Sequence, residues 1–145
     1  MPVIRIEPNP RRLDLCSIFT DAAWNSTTGN AGLGWIVDDL VSSSQHSATE
    51  TFVSSPLMAE TLAVRSAITF ALSIGLESIA IFSDSQNLIK TLSRKERNLE
   101  IFGALNDIYL ISSSFKTISF TFISRTLNVR ADHCAKQALW ALNPI

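Results

Sequence analysis

The 145-residue chain is poor in several residue types, and each shortage excludes a class of protein. Charged residues make up 17% of the chain, against about 25% in typical globular domains. The 12 basic and 13 acidic residues leave a formal net charge of −1, which excludes a strongly basic surface over the whole molecule. No apolar run approaches the ~18 residues of a membrane-spanning helix. We therefore predict no membrane association, and any nucleic-acid binding must be local or assisted by metal ions.

Cysteine is equally scarce. Cys16 and Cys134 each lie in an apolar periodic segment, which favours buried free thiols in a reducing compartment over a disulfide or a zinc site. The first dozen residues contain three prolines and no apolar signal-peptide centre. We predict an N-terminal linker at 1–13 and one intracellular domain, nuclear or cytoplasmic, at 14–145.

The spacing of apolar residues predicts the element order β-β-β-α-β-α-α-β-α. Strands are predicted at 15–21, 31–38, 48–53, 77–83 and 116–124. Helices are predicted at 56–73, 84–92, 99–112 and 128–142. Ser55 as N-cap and Pro56 as first helical residue mark the start of the first helix. Three strands followed by a β-α-β alternation indicate an α/β fold with a mixed sheet and flanking helices.

Four acidic residues occupy positions that ordinary surface acids avoid. Asp21 ends the first predicted strand and Asp84 follows the buried fourth strand, and such strand ends are where α/β sheets build sites. Glu60 shares its helix face with apolar residues three, four and seven positions away. Asp132 lies among apolar residues of the last helix. An isolated buried carboxylate costs several kcal/mol, so we expect a cation or a polar partner beside Glu60.

Each acid taken alone also has a structural explanation. Asp21 and Asp84 could be turn or helix-capping residues. Asp132 could be a first-turn acid paired with Lys136, four residues later. Glu60 could lie at the edge of an apolar helix face. The occurrence of all four in one chain favours a shared site.

The segments around these acids resemble, in chain order, the four motifs of the ribonuclease H superfamily. They are 19–25 (FTDAAWN), 57–60 (LMAE), 83–86 (SDSQ) and 125–132 (RTLNVRAD). Their details are most similar to the plant reverse-transcriptase-like branch, whose members occur in retroelement-derived proteins. The resemblance spans about 18–142, nearly the whole chain.

The resemblance implies a ribonuclease H-like fold with a five-stranded mixed sheet, and convergence of Asp21, Glu60, Asp84 and Asp132 at one end of it. It implies endonucleolytic cleavage of the RNA strand of an RNA/DNA hybrid with two Mg²⁺ or Mn²⁺ ions. Hard divalent cations prefer oxygen ligands, and two of them can clamp a scissile phosphate. We assign Asp21 as the bridging ligand, Glu60 and Asp84 to one ion, and Asp132 to the other.

Five further residues are candidate substrate contacts. Gly32 and the glycine two residues later share a strand face that could admit a sugar. The amides of Asn25, Gln86 and Asn128 could reach bases or 2′-hydroxyls, the groups that distinguish RNA from DNA. Arg125 could meet a phosphate. For the three amides, a turn, an exposed surface and a helix N-cap are the respective alternatives.

The chain lacks one feature of cellular ribonucleases H, a mobile histidine shortly before the fourth acid. Its two histidines are His46 and His133, and neither lies in that segment. A catalytically weak or inactive nucleic-acid-binding module is therefore the alternative hypothesis. A metal-dependent phosphatase is disfavoured, since it would need a second aspartate two residues after Asp21. We expect a monomeric domain that binds nucleic acid weakly and in a salt-sensitive manner.

Overall fold

The computed structural model describes residues 15–142, and the predicted linker at 1–13 lies outside the described residues. Five strands form one mixed sheet in the order β3-β2-β1-β4-β5. The strands are β1 Leu15–Trp24, β2 Ala31–Asp38, β3 Ser43–Glu50, β4 Ser78–Ser83 and β5 Thr117–Phe122. The α-helices are α1 Pro56–Ser73, α2 Gln86–Ser93, α3 Phe102–Ser112 and α4 Val129–Leu142, with short 3-10 helices at Leu99–Ile101 and Arg125–Leu127.

The sheet combines two kinds of pairing. β1, β2 and β3 pair antiparallel, whereas β1, β4 and β5 pair parallel through helical crossovers. This arrangement confirms the predicted fold class, and the element order confirms the predicted order. Ser55 caps α1 by accepting a hydrogen bond from the backbone N–H of Met58, with Pro56 in the first helical turn, as the sequence predicts.

Two strands, β1 and β3, differ from the prediction by three residues or more at a boundary. β1 continues three residues past Asp21, because its antiparallel pairing with β2 extends to Trp24 opposite Ala31. β3 lies at 43–50 rather than 48–53, and it occupies part of the predicted turn. This edge strand is formed by backbone pairing with β2, and its largely exposed polar side chains give little periodic signal.

The two faces of the sheet are packed differently. On the α1 side, aliphatic residues of the sheet and of the helices form the main core. Ile18, Ile68 and Ile81 belong to it, and none of them is exposed to solvent. On the α4 side the helix backbone lies directly on β2. A Cβ atom on Gly34 would lie 2.7 Å from the carbonyl oxygen of Ala131, and one on Gly32 would overlap that of Ala135.

This close approach corrects the prediction for Gly32. The side-chain-free face of this glycine is covered by α4 and has no room for a substrate sugar. Both positions require glycine because α4 packs directly against β2, and any larger side chain would push α4 away from the sheet.

Cys16 and Cys134 are free and buried, as predicted. Within residues 15–142, none of the helices has the length and apolar character needed to span a bilayer.

Candidate functional site

Three of the four predicted acids meet at one point. Asp21 lies near the end of β1, Glu60 in the second turn of α1, and Asp84 directly after β4. Each offers one carboxylate oxygen, and these three oxygens lie within 4.8 Å of one another. We call these three residues the carboxylate trio. Three separate elements therefore deliver oxygen ligands to a volume that one ion could fill.

The sheet itself creates the opening for the trio. Pairing between β1 and β4 ends at Phe19 opposite Phe82, whereas β1 continues along β2. The chain leaves the sheet after Ser83, and Ser85 then accepts a hydrogen bond from Leu88 N–H and caps α2. Because Ser85 performs the capping, the alternative of Asp84 as the helix cap is wrong, and its carboxylate remains directed toward Asp21.

Burial makes the trio electrostatically costly without a cation. Asp21 is only 5% exposed, and burial, followed by the charge of Asp84, raises the pKa of Asp21 to about 6. The backbone N–H of Ala22 donates to Asp21 Oδ1 over 2.9 Å, which opposes this shift. Burial, followed by the charge of Asp21, raises the pKa of Glu60 well above its ordinary value.

Glu60 also has an unsatisfied atom. Its Oε1 is buried and accepts no hydrogen bond from any residue in the range 15–142. A buried acceptor without a partner costs free energy, and a bound cation would satisfy it. The sequence predicts this need, because Glu60 lies on the apolar face of α1.

Asp132 lies beside the trio but is not part of it. Its Oδ2 atom pairs with Lys136 Nζ over 3.1 Å, and its side chain is 30% exposed. The predicted i,i+4 ion pair is thus present. Asp132 nevertheless lines, with Arg125, Lys136 and the trio, one polar cavity of about 240 Å³. The structure brings all four predicted acids to the same cavity.

Of three predicted substrate contacts, Asn25 stabilises a turn, whereas Gln86 and Arg125 are accessible to a substrate. Asn25 Oδ1 accepts hydrogen bonds from the backbone N–H groups of Thr27 and Thr28, so this side chain shapes the β1–β2 turn. Gln86 is exposed at the start of α2, two residues after Asp84, and remains a candidate. Arg125 borders the cavity and also remains a candidate.

Asn128 is placed differently from the prediction. It is 2% exposed, and its Nδ2 donates to the carbonyl oxygen of Thr20 over 2.9 Å and to Asp84 Oδ2 over 3.3 Å. The structure does not support the predicted contact with a base or 2′-hydroxyl, because the donor of this amide is engaged by Thr20 and Asp84. The alternative role as a side-chain N-cap is also not observed, because Asn128 Oδ1 accepts no hydrogen bond from the described residues.

Two residues at the site have functions that the sequence did not predict. Lys136 is a cation on the cavity wall, although its spacing predicted only an ion pair. Thr20 supplies the carbonyl oxygen that Asn128 binds, and no side-chain pattern could indicate a backbone acceptor. His133 is exposed on α4 and His46 stacks with Trp35 in the sheet, so neither histidine borders the cavity.

Comparison with known proteins identifies the family. A model of reverse transcriptase-like domains matches residues 19–138. The chain belongs to the reverse transcriptase-like family. The match covers the trio, Asp132 and the residues that position them.

Solved structures show the same fold. RNase H1 from Halobacterium salinarum NRC-1 superimposes with a TM-score of 0.73 at 23% identity, covering 86% of this chain and 97% of that one. The N-terminal RNase H domain of a Mycobacterium tuberculosis protein gives 0.75 at 20% identity, covering 88% and 94%. LC11-RNase H1, solved in complex with an RNA/DNA hybrid, gives 0.75 at 20% identity, covering 85% and 95%. No curated protein sequence shows a significant match. The reverse transcriptase-like domain thus has the ribonuclease H fold.

Proposed function

We propose that this domain is a metal-dependent endoribonuclease that cleaves the RNA strand of RNA/DNA hybrids. The observation that carries the proposal is the carboxylate trio, with three oxygens within 4.8 Å and a buried Glu60 oxygen that has no partner among residues 15–142. Such an arrangement is costly without a cation. It is therefore better explained by a ligand-binding role than by stability.

The residues fit a hard divalent cation such as Mg²⁺ or Mn²⁺. All three ligands are carboxylates from different elements, and hard cations prefer oxygen donors. Asp21, Glu60 and Asp84 would hold the first ion. Asp132, across the same cavity, would contribute to a second. When bound, such ions supply Lewis-acid stabilisation of a phosphoryl group and of the attacking oxygen.

Other side chains of the cavity are suited to a phosphodiester. Arg125 and Lys136 place two cationic groups on the wall of a cavity otherwise lined by acids. They would orient the phosphate backbone and oppose its repulsion by the carboxylates. The exposed Gln86 amide, two residues after Asp84 in the chain, could read a base edge or a 2′-hydroxyl.

The substrate class rests on the family and on one relative. The chain shares its fold with RNase H1 proteins, and LC11-RNase H1 has been solved with a hybrid bound. These likenesses support the proposal for this chain, whose own residues supply an acidic site.

The direct test uses a hybrid with its RNA strand end-labelled, beside DNA and RNA duplexes of the same sequence. With Mn²⁺ or Mg²⁺ we expect internal cleavage of RNA in the hybrid alone, and none with EDTA. Asp84→Asn should abolish cleavage. Asp107→Asn, which removes an acid paired with Arg65 at 2.9 Å outside the cavity, should preserve it. A folded wild-type domain that leaves the hybrid intact at high concentration with Mn²⁺ would contradict the proposal.

The second candidate is a nucleic-acid-binding module without cleavage. The ion pair of Asp132 with Lys136, and a cavity without a histidine, favour it. The two functions differ in their metal dependence, since binding through phosphates and bases alone needs no divalent ion. Hybrid binding that persists in EDTA, with no cleavage when metal is added, would support this candidate.

A further inference from the structure

Asn128 lies where three of the four acid-bearing elements meet. Its Nδ2 binds the carbonyl oxygen of Thr20, the residue before Asp21 in β1. The same nitrogen lies 3.3 Å from Asp84 Oδ2, after β4. The backbone carbonyl oxygen of Asn128 accepts a hydrogen bond from the backbone N–H of Asp132 over 3.1 Å, in the first turn of α4. Glu60, on α1, is the one site acid without a direct link to Asn128 in these contacts.

Asn128 supplies a hydrogen bond to β1 at the point where the strand has no neighbouring strand on one side. β4 stops pairing with β1 at Phe19, so β1 loses its neighbour on that side near Asp21. The amide of Asn128 reaches Thr20 from the start of α4 instead. One side chain thereby satisfies a carbonyl group of β1 and joins β1 to α4, which are distant in sequence.

The hydrogen-bonding pattern sets the orientation of the amide. Both partners of Nδ2, a carbonyl oxygen and a carboxylate oxygen, are acceptors. The reversed amide would place Oδ1 against two acceptors, so only the observed orientation is favourable. Oδ1 is left buried without a partner among the described residues. Retaining a polar group at this cost indicates that its donor has a specific role.

We propose that Asn128 is a positioning residue that orients Asp84 for metal binding. By donating to Oδ2, it fixes the carboxylate plane of Asp84 and leaves Oδ1 free to coordinate. By binding Thr20, it ties that orientation to the strand that carries Asp21. The proposal rests on the proposed metal-dependent function. Partners of this kind around metal ligands typically change metal affinity or activity by about 10–100-fold when removed.

The test measures Mn²⁺ affinity of the metal-free domain by electron paramagnetic resonance, together with the melting temperature in EDTA. Asn128→Ala should weaken Mn²⁺ binding by about 10-fold or more. Asn128→Ser, which retains a small polar group, should behave in the same way and serves if the alanine variant does not fold. Asn106→Ala, at an exposed position of α3, should bind Mn²⁺ as the wild type does.

A second control separates positioning from stability. Thr91→Val removes a hydrogen bond from the buried Thr91 Oγ1 to the carbonyl oxygen of Asn87, 3.0 Å long, on α2 and outside the cavity. It should lower the melting temperature without weakening Mn²⁺ binding. Wild-type Mn²⁺ affinity in both folded Asn128 variants would overturn the positioning role alone. Failure of the wild-type domain itself to bind Mn²⁺ would overturn the metal-dependent function and this inference with it.

Discussion

The carboxylate trio and Asp132 lie on one cavity, yet their negative charges are balanced in different ways. Asp21, Glu60 and Asp84 crowd together, and burial raises the pKa values of the first two. Asp132 is partly exposed and already pairs with a lysine of its own helix. In the proposed metal-bound state an external cation balances the charges of the trio, whereas Asp132 already has an internal one.

This difference indicates the order in which ions would bind. In the proposed two-ion site, a first ion would relieve repulsion within the trio and satisfy the buried oxygen of Glu60, which favours its binding. An ion at Asp132 would compete with Lys136 for the same carboxylate. We therefore expect the two sites to bind Mn²⁺ with unequal affinity, a difference that substitutions of the individual acids would reveal.

Glu60→Gln should cause the largest loss. We expect hybrid cleavage to fall by about a thousandfold or more, the equivalent of several kcal/mol of transition-state stabilisation. Because burial disfavours ionisation of the Glu60 carboxyl and raises its pKa, a neutral amide at this position should raise the melting temperature in EDTA at pH 7.5. Cleavage rates and thermal unfolding measure both effects. Glu77→Gln, at an exposed position before β4, is the control. A Glu60→Gln variant with wild-type activity would show that Glu60 is not needed for cleavage.

Asp132→Asn should have an intermediate effect. Since the trio still binds its ion, we expect cleavage to fall by only about 10–100-fold. The affinity of the first Mn²⁺ should stay within a few-fold of the wild type, as measured by electron paramagnetic resonance. If this variant instead loses the first ion entirely, Asp132 belongs with the trio and the proposed inequality is wrong.

Asp21 should make the stability of the metal-free domain depend on pH. Its pKa is about 6 in the folded state, against an ordinary value of 3.8. A raised carboxyl pKa favours folding below the unfolded pKa, and this contribution is lost as pH rises through about 6. Asp21→Asn should therefore raise the melting temperature in EDTA more at pH 7.5 than at pH 4. Equal gains at the two pH values would show that the folded carboxyl titrates normally.

Lys136→Met should have the smallest effect on stability. Its ion pair with Asp132 is largely exposed, with 66% of the lysine side chain accessible, and such pairs contribute about 0–1 kcal/mol. Urea denaturation should show a change within that range. Binding of a second Mn²⁺ should tighten, because Asp132 loses its competing cation. Lys116→Met, before β5, is the matched control, and unchanged binding of the second ion would argue against competition.

Much of the fold could be predicted from local patterns. Ser55 and Pro56 mark the start of α1 because capping and a fixed proline φ act within one helical turn. The buried fourth strand is evident from its continuous apolar run. β3 was misplaced because an exposed edge strand is formed by pairing with β2, which its polar side chains do not reveal.

The site was predictable in its residues and less so in its geometry. Glu60 was the strongest signal, since a carboxylate on an apolar helix face requires a partner. Asn128 and Gly32 were assigned to substrate because amides and glycines suit that role. Their actual surroundings depend on α4, which covers Gly32 and brings Asn128 onto Thr20.

Local sequence patterns are enough to predict the order of elements, the four acids and the ion pair of Asp132 with Lys136, because helix caps, apolar periodicity and i,i+4 spacing act over a few residues. The tertiary structure was needed to show that Asp21, Glu60 and Asp84 form a trio with Asp132 beside it, and that Asn128 joins their elements. These outcomes depend on where β4 leaves the sheet and how closely α4 approaches β2. Both are set by packing between segments that are far apart in the chain.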